Sequence, residues 1–253
     1  MIKIENIEVS GWEAAIRGMR NAKESWDKSD SYFLKDGKGN SVFILGSNDS
    51  KLMLSLIKAG SDERKFLRMI HVSMDITAGQ HWWTEFDTYK VGTVRSSCSK
   101  MHKIQDHTID INSFDHEGLD LINDVVAYSD KFGYLTPNYI MNRIFCPMLD
   151  NLRIEFNRTK DKKYWRALIE LLPESYHIKA TVDLNYENIY NMLHARAYHK
   201  LDEWALSDLD NRTYYYNGDS FCDVIVKKLP YSNLLCNDIN IPHSILKEIS
   251  YDE

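Results

Sequence analysis

Cysteine is scarce in this sequence of 253 residues, and its placement suggests neither a metal ribbon nor a disulfide framework. The four cysteines lie far apart and include no CxxC pair, which excludes a zinc ribbon and a small disulfide-stabilised scaffold. The nine histidines form no HExxH or similar pattern, so we expect no metal site. A signal peptide and an apolar run long enough to span a bilayer are also lacking. We therefore expect a cytoplasmic protein without a membrane partner.

Basic residues are outnumbered by acidic ones, and proline and glycine are sparse. The chain has 31 lysines and arginines against 37 aspartates and glutamates, a net charge of −6 that argues against general binding to nucleic acid. A local basic pocket is compatible with this charge. With 5 prolines, 11 glycines and no repeat or linker, we expect a single domain over residues 1–253. The apolar content of 43% is enough for a substantial core.

Alternating apolar residues predict the strands of a sheet. In the segment Met69–Ile76, apolar and polar residues alternate, which gives the strand one apolar and one polar face. Ile178–Leu184 alternates in the same way. Weaker strand patterns span Met1–Val9, Ser41–Leu45 and Phe221–Val226.

Helical periodicity recurs between these strands. Ser10 and Asp49 are placed to cap two early helices, and Pro147 predicts a kink or break in a later one. Trp82 and Trp83 fall on a further helix, and we expect both in the core. The remaining predicted helices span Leu119–Phe132, Asn138–Phe156, Tyr164–Leu172 and Asn185–Trp204.

The segment Gly92–His102, GTVRSSCSKMH, is the main candidate for a polar binding loop. Its serines from Ser96 onwards either form a phosphate-binding nest assisted by Arg95 or belong to a flexible loop. Cys98 is either a nucleophile with His102 as its base or an incidental cysteine. Three consecutive tyrosines at 214–216 either stack on a ligand ring or pack at an interface.

The helix that begins at Asn185 carries several polar residues. Arg196 follows Asn185 by eleven residues, about three helical turns, so both should project from nearly the same face, whereas Asn191 projects elsewhere. These residues either form one wall of a nucleotide pocket or are a surface arginine and two ordinary polar positions.

An apolar run that ends at Leu172-Pro173 is followed by a strand and then by Asn185, Asn191 and Arg196. This order and spacing resembles the flavin-dependent thymidylate synthase family. The resemblance implies an α/β (α+β) fold, with a mixed sheet flanked by long helices, and a homotetramer with pockets between subunits. It also implies FAD as the cofactor, a pyrimidine nucleotide as the substrate and a folate as the carbon donor.

The resemblance also assigns roles to individual residues. It implies that Asn185 and Asn191 bind the cofactor, and His194 on the same helix is our third cofactor-binding candidate. For substrate binding it implies Ser99 and Arg196, and the phosphate-nest alternative adds Arg95 and Ser97. Ser99 matches a serine of the family signature and is the catalytic candidate.

The sequence departs from the family pattern where arginines are expected. Thr84-Glu85-Phe86 stands in place of Arg-His-Arg, and Glu187 stands in place of an arginine two residues after Asn185. The family's arginines hold phosphates by charge-assisted hydrogen bonds, whereas Glu85 would repel a phosphate. We therefore expect flavin-assisted one-carbon or redox chemistry on a pyrimidine nucleotide, but not efficient methylation of dUMP. The alternative is a non-catalytic or repurposed nucleotide-binding protein that keeps the fold.

Overall fold

The computed structural model describes residues 2–37, 39–118, 123–207, 209 and 218–248. Its strands are β1 (Lys3–Ser10), β2 (Tyr32–Lys35), β3 (Ser41–Ile44), β4 (His71–Gly79), β5 (Val94–Ser97), β6 (Ala127–Ser129), β7 (Gly133–Leu135) and β8 (His177–Asn185). Its α-helices are α1 (Trp12–Arg20), α2 (Ser47–Ala59), α3 (Gln80–Phe86), α4 (Lys100–Lys103), α5 (Pro137–Ile140), α6 (Cys146–Thr159), α7 (Lys162–Leu171), α8 (Tyr186–Arg196), α9 (Phe221–Lys228) and α10 (His243–Glu248). None of the described helices combines the length and apolar character that are needed to cross a membrane.

The main sheet has the strand order β1-β4-β8-β5. In the central pair, Val72 of β4 lies opposite Leu184 of β8, and alternate residues of both strands are buried as their sequences predict. The expected α/β class, with helices packed around a sheet, is confirmed. The described strand pairs are antiparallel rather than mixed. As a result the C-terminal ends of β4 and β8 lie at opposite ends of this strand pair, where the strands lead into α3 and α8 respectively.

The main core joins the apolar face of the sheet to α1, α2, α3, α8 and α9. Trp82 stacks on Trp204 with 4.4 Å between ring centroids, and Phe221 tilts against both rings. Trp82 and Trp83 are only 1% and 2% exposed, so their expected place in the core is confirmed. A second apolar cluster joins α6 and α7 to the segment 104–114.

Two predicted elements differ in type from the structure. Phe221–Val226, predicted as a strand, forms most of α9, whose N-terminus is closed by a capping box between Ser220 and Asp223. The segment is buried on all sides, so its apolar run has no period that separates helix from strand. The predicted helix Leu119–Phe132 is also wrong, because β6 lies within it and pairs with β7; residues 119–122 are outside the described chain.

Other predictions missed the ends of elements, whereas a predicted helix break is confirmed. The expected loop Gly92–His102 contains β5 and most of α4, and α8 ends at Arg196 although the predicted helix runs to Trp204. The break expected near Pro147 is present, since a π-helical segment, Met141–Phe145, separates α5 from α6. Proline supplies no N–H to the helix ladder, which favours such an irregular turn.

Neither predicted cap residue caps its helix. The residue before α1 is Gly11 rather than Ser10; its φ is 92°, and a Cβ there would lie 1.9 Å from the carbonyl oxygen of Met69. At the start of α2, the carboxylate of Asp30 accepts hydrogen bonds from two backbone N–H groups at 2.8 and 3.1 Å. Asp49, the expected cap, is fully buried.

Candidate functional site

A cleft of about 400 Å³ lies where β8 ends and α8 begins. Its walls are the first turns of α8, the chain after α3 and the end of the 3-10 segment Arg64–Met69. This volume is typical of small-ligand sites. The residues that line the cleft are Arg68, Thr88, Tyr89, Lys90, Val91, Gly92, Asn185, Glu187, Asn188 and Asn191.

Two asparagines fix the helical wall of the cleft. The side-chain oxygen of Asn185 accepts a hydrogen bond from the backbone N–H of Asn188 at 3.0 Å, and the reverse bond is 3.1 Å long. The Asn188 amide also donates to the carbonyl oxygen of Val91 at 2.8 Å, which ties the facing wall to the helix. Gly92 permits this close contact, because its φ is 77° and a Cβ there would lie 2.9 Å from Nδ2 of Asn185.

Positive charge predominates around the cleft. The Glu187 side chain is 8% exposed; it accepts a hydrogen bond from Nε of Arg68 and lies 3.4 Å from Nε of Arg64. The hydrogen bond that Arg68 donates to Glu187 raises the pKa of Arg68. Lys90 is exposed on the facing wall. Arg64, Arg68 and Lys90 outnumber the carboxylates of Glu187 and of Asp62, which also acts on Arg68, so the cleft is suitable for a phosphate group.

The structure brings two of the three predicted cofactor-binding residues together. Asn185 and Asn191 both line the cleft. His194 is not among the lining residues; its Nδ1 lies 2.8 Å from the carbonyl oxygen of Tyr190, and its ring packs on the Tyr190 ring. Its Nε2 is buried and has no hydrogen-bond partner within the described chain.

Arg196 lies beside the cleft rather than in its lining, which corrects the expectation that it shares a face with Asn185. Its Nε donates to the Tyr89 hydroxyl at 2.9 Å, its Nη1 lies 2.7 Å from His199 Nε2, and its Nη2 lies 2.8 Å from a Glu85 carboxylate oxygen. The Arg196 side chain is only 13% exposed. Tyr89 connects the cleft to Arg196, since it is a lining residue and its hydroxyl accepts a hydrogen bond from Arg196.

The other predicted substrate-binding residues follow the β5 edge and do not line the cleft. Arg95 donates to Asp87 at 2.7 Å and its guanidinium lies 4.0 Å from the Trp83 ring centroid. Ser97 is exposed at the end of β5, and Ser99 precedes α4. An extended strand does not present consecutive N–H groups to one anion, so β5 does not form the phosphate nest that was one of the two alternatives for these serines.

The structure bears on the two alternatives for the Cys98 thiol, but not on those for the three tyrosines. Cys98 and His102 are both exposed, and the structure records no contact between them within the described chain. The Cys98 N–H donates to the carbonyl oxygen of Lys179 at 2.9 Å, which anchors the backbone only. The tyrosines at 214–216 lie outside the described residues.

Comparison with known proteins gives no match by sequence and a clear match by structure. No protein-family model matches the chain, and no curated protein sequence matches it. A crystal structure of thymidylate synthase X from Helicobacter pylori with FAD and dUMP matches with a TM-score of 0.57 and 15% identity, over 92% of this chain and 96% of that one. A second, of the flavin-dependent enzyme from Helicobacter pylori with the same two ligands, has a TM-score of 0.51 and 16% identity, over 78% and 86% of the two chains.

The chain has the flavin-dependent thymidylate synthase fold. At this level of identity the comparison establishes the fold alone.

Of the ten residues that line the cleft of this flavin-dependent thymidylate synthase fold, the sequence predicted individual binding roles for Asn185 and Asn191 alone. Asn188 is signalled by the Asn-x-x-Asn spacing from Asn185, which matches a capping box. Gly92 is signalled by its place in a short polar connection. Arg68 has no local signal, because it reaches the cleft from a segment that is 119 residues away from its partner Glu187.

A group of ionisable side chains lies near the C-terminal end of β4, at the end of the central strand pair opposite the cleft. Nε2 of His81 lies 3.7 Å from Glu203, and Nδ1 of the same ring lies 3.9 Å from Asp115. Asp115 also lies 2.7 Å from His177 Nε2. A Cβ on Gly79 would lie 2.2 Å from the Asp115 carboxylate, so this group depends on glycine at the end of β4.

His81→Gln is expected to destabilise the protein more in mildly acidic than in alkaline solution. The neighbouring Glu203 carboxylate raises the pKa of His81 despite burial, so the charged imidazole stabilises the fold below its ordinary pKa of 6.5. This contribution is lost as the pH rises through the raised pKa. Burial raises the Glu203 pKa, but the interaction with His81 and a backbone hydrogen bond together outweigh it, and the net pKa is lowered.

Urea unfolding at about pH 6 and about pH 9 measures this difference. His71→Gln is the matched control, because His71 lies 3.6 Å from Asp183 with its side chain 54% exposed. An equal loss of stability at both pH values for His81→Gln would contradict the prediction.

Proposed function

We propose that the cleft at the start of α8 binds the phosphate-bearing part of a nucleotide, and that the protein acts on a pyrimidine nucleotide with FAD as its cofactor. The observation that carries this proposal is a cationic cleft, lined by Arg68, Lys90, Asn185 and Asn191, in a chain with the flavin-dependent thymidylate synthase fold. The chemistry proposed is a one-carbon or redox reaction other than efficient dUMP methylation, with a folate as the candidate carbon donor.

The residues of the cleft fit the nucleotide half of FAD. Side-chain amides of Asn185 and Asn191 match the hydroxyl and ring nitrogen groups of a nucleoside, and Arg68 and Lys90 match its phosphates. Glu187 does not oppose this fit, because Arg64 and Arg68 neutralise its charge. When bound, FAD supplies the redox chemistry; this chain's residues bind and orient the nucleotide.

A non-catalytic nucleotide-binding protein is the second candidate, and the surroundings of Arg196 favour it. Its guanidinium is engaged by Glu85, Tyr89 and His199, so a substrate anion must displace an internal carboxylate to reach it. A protein that only binds a nucleotide at the cleft has no need of that exchange.

The purified protein provides the test. Under the proposed enzyme function it is yellow or becomes yellow with FAD, binds FAD with a Kd in about the micromolar range by calorimetry, and binds dUMP or UMP when FAD is present. Binding of a nucleotide without FAD, and without turnover of dUMP or UMP, supports the second candidate. Failure to bind FAD, dUMP and UMP would overturn both.

We also propose a homotetramer. Large apolar side chains are exposed on the β6–β7 hairpin and along α6 and the π-helical turn before it: Tyr128, Tyr134, Ile144, Met148 and Ile154. Exposed apolar groups of this kind favour subunit contacts. Light scattering at micromolar concentration should give four times the chain mass, and Met148→Glu should reduce that mass whereas Lys162→Glu, on the exposed start of α7, should not. A monomer would contradict the proposal.

A further inference from the structure

The strongest unexplained feature of the cleft is a buried carboxylate that holds an exposed arginine. Glu187 is in the first turn of α8 and is 6% exposed, whereas the Arg68 side chain that binds it is 60% exposed. A buried carboxylate is costly unless it is paired, and Arg64 also lies within ion-pair distance of Glu187. Glu187 is therefore paired twice, with Arg64 next to one carboxylate oxygen and Arg68 bonded to the other.

The two arginines have different surroundings. The Arg64 side chain is 16% exposed and its guanidinium lies 4.3 Å from the Tyr190 ring centroid, so it belongs to the packed interior. Arg68 lines the cleft, and the bond to Glu187 uses its Nε. A guanidinium has five N–H donors in a fixed fork, so the bond through Nε leaves Nη donors of Arg68 for a ligand.

The backbone holds this arginine in place. Phe66 and Leu67, in the 3-10 segment just before Arg68, are 2% and 0% exposed and anchor the segment in the core. Lys90 stands on the facing wall of the same cleft. A ligand anion between the two walls meets a positioned guanidinium on one side and a mobile ammonium on the other.

We propose that Arg68 is the phosphate-binding arginine of the cleft and that Glu187 is a positioning residue which aims it at the diphosphate of a nucleotide. This inference rests on the proposed nucleotide-binding function. The charges of the cleft indicate the ligand class. Arg68 and Lys90 on its two walls suit the two adjacent phosphate groups of a nucleoside diphosphate better than an uncharged nucleoside.

Calorimetric titration with FAD, ADP and adenosine tests the inference. Arg68→Ala is expected to weaken binding of FAD and ADP by about tenfold or more, to reduce the salt dependence of binding, and to leave adenosine binding nearly unchanged. Lys65→Ala, an exposed residue of the same 3-10 segment, is the matched control and should change none of these. Circular dichroism verifies that each variant is folded.

Removal of the Glu187 charge separates positioning from a structural role. Glu187→Gln should weaken ADP binding by about threefold or more and leave adenosine binding nearly unchanged, because it releases Arg68 without removing a cation from the cleft. An equal loss of adenosine binding would contradict the positioning role. Unchanged ADP affinity in Arg68→Ala, with the unmodified protein binding ADP, would overturn the inference alone. If the unmodified protein binds neither FAD nor ADP, the proposed function fails and the inference fails with it.

Discussion

Asp49→Ala is expected to lower the free energy of unfolding by about 3–5 kcal/mol, the cost of leaving a buried charge without its partner. Asp49 is 0% exposed and Arg20 is 4% exposed. Nε of Arg20 donates to one Asp49 oxygen at 2.7 Å. The other oxygen accepts from the Ser29 hydroxyl at 2.8 Å and from the N–H and hydroxyl of Ser31 at 3.0 and 2.6 Å. Alanine removes the compensating charge and leaves these donors without their acceptor.

The effect extends to the connection between α1 and β2. Two further guanidinium bonds of Arg20 go to the carbonyl oxygens of Ser25 and Lys28 at 3.1 and 3.0 Å. The ion pair between Asp49 and Arg20 therefore anchors this connection, because both side chains form hydrogen bonds with its residues. Burial raises the Asp49 pKa, but hydrogen bonds from the serines and Arg20 outweigh it and lower the net pKa. The stabilisation is thus present above the ordinary pKa of 3.8 and is lost as the pH falls through the lowered one.

Equilibrium urea unfolding at neutral pH measures the change. Asp106→Ala is the control, because Asp106 forms an exposed ion pair with Lys103 at 2.9 Å and such pairs contribute little. A loss of less than about 1 kcal/mol for Asp49→Ala would show that the buried pair is not the main restraint on this connection.

The protein is expected not to rescue a thymidine-requiring bacterial strain, because dUMP methylation should be at least about a hundredfold slower than in an enzyme with a free substrate arginine. Arg196 is engaged by Glu85 and Tyr89, and the arginines that resemblance would place at residues 84–86 are absent. Several charge-assisted contacts with a phosphate are lost together. Growth without thymidine that Arg196→Ala abolishes would show that these departures are tolerated.

Glu85→Gln tests the effect of the ion pair between Glu85 and Arg196 separately from the other departures from the family pattern. It removes the carboxylate charge that competes with a phosphate for Arg196, so dUMP affinity should rise by about tenfold. Arg196→Ala in the same background should cancel the gain. Glu170→Gln is the matched control, because its ion pair with Arg166 at 2.7 Å lies on the exposed face of α7. Equal dUMP affinity in Glu85→Gln and the unmodified protein would mean that the pair does not regulate access to Arg196.

Local patterns predicted most of the framework that positions the site. Alternation identified β4 and β8, whose pairing forms the middle of the sheet, because a half-buried strand must alternate. The interval from Asn185 to Asn191 identified the helical wall of the cleft, and both residues line it. Phe221–Val226 failed, since a segment buried on every side has no amphipathic period.

The sequence by itself determined the central strands and the asparagines of α8, because periodicity and spacing act between residues that are close in the chain, and the family resemblance carried by that spacing implied the fold class. Only the tertiary structure decided how the charges are paired. Glu187 meets Arg68 across 119 residues, and Asp49 meets Arg20 rather than capping its own helix. Glu85, expected to repel a phosphate, is bound to Arg196, 111 residues further along the chain. The energy of a charged side chain depends on its burial and on the partner that reaches it, and both are set when distant segments pack together.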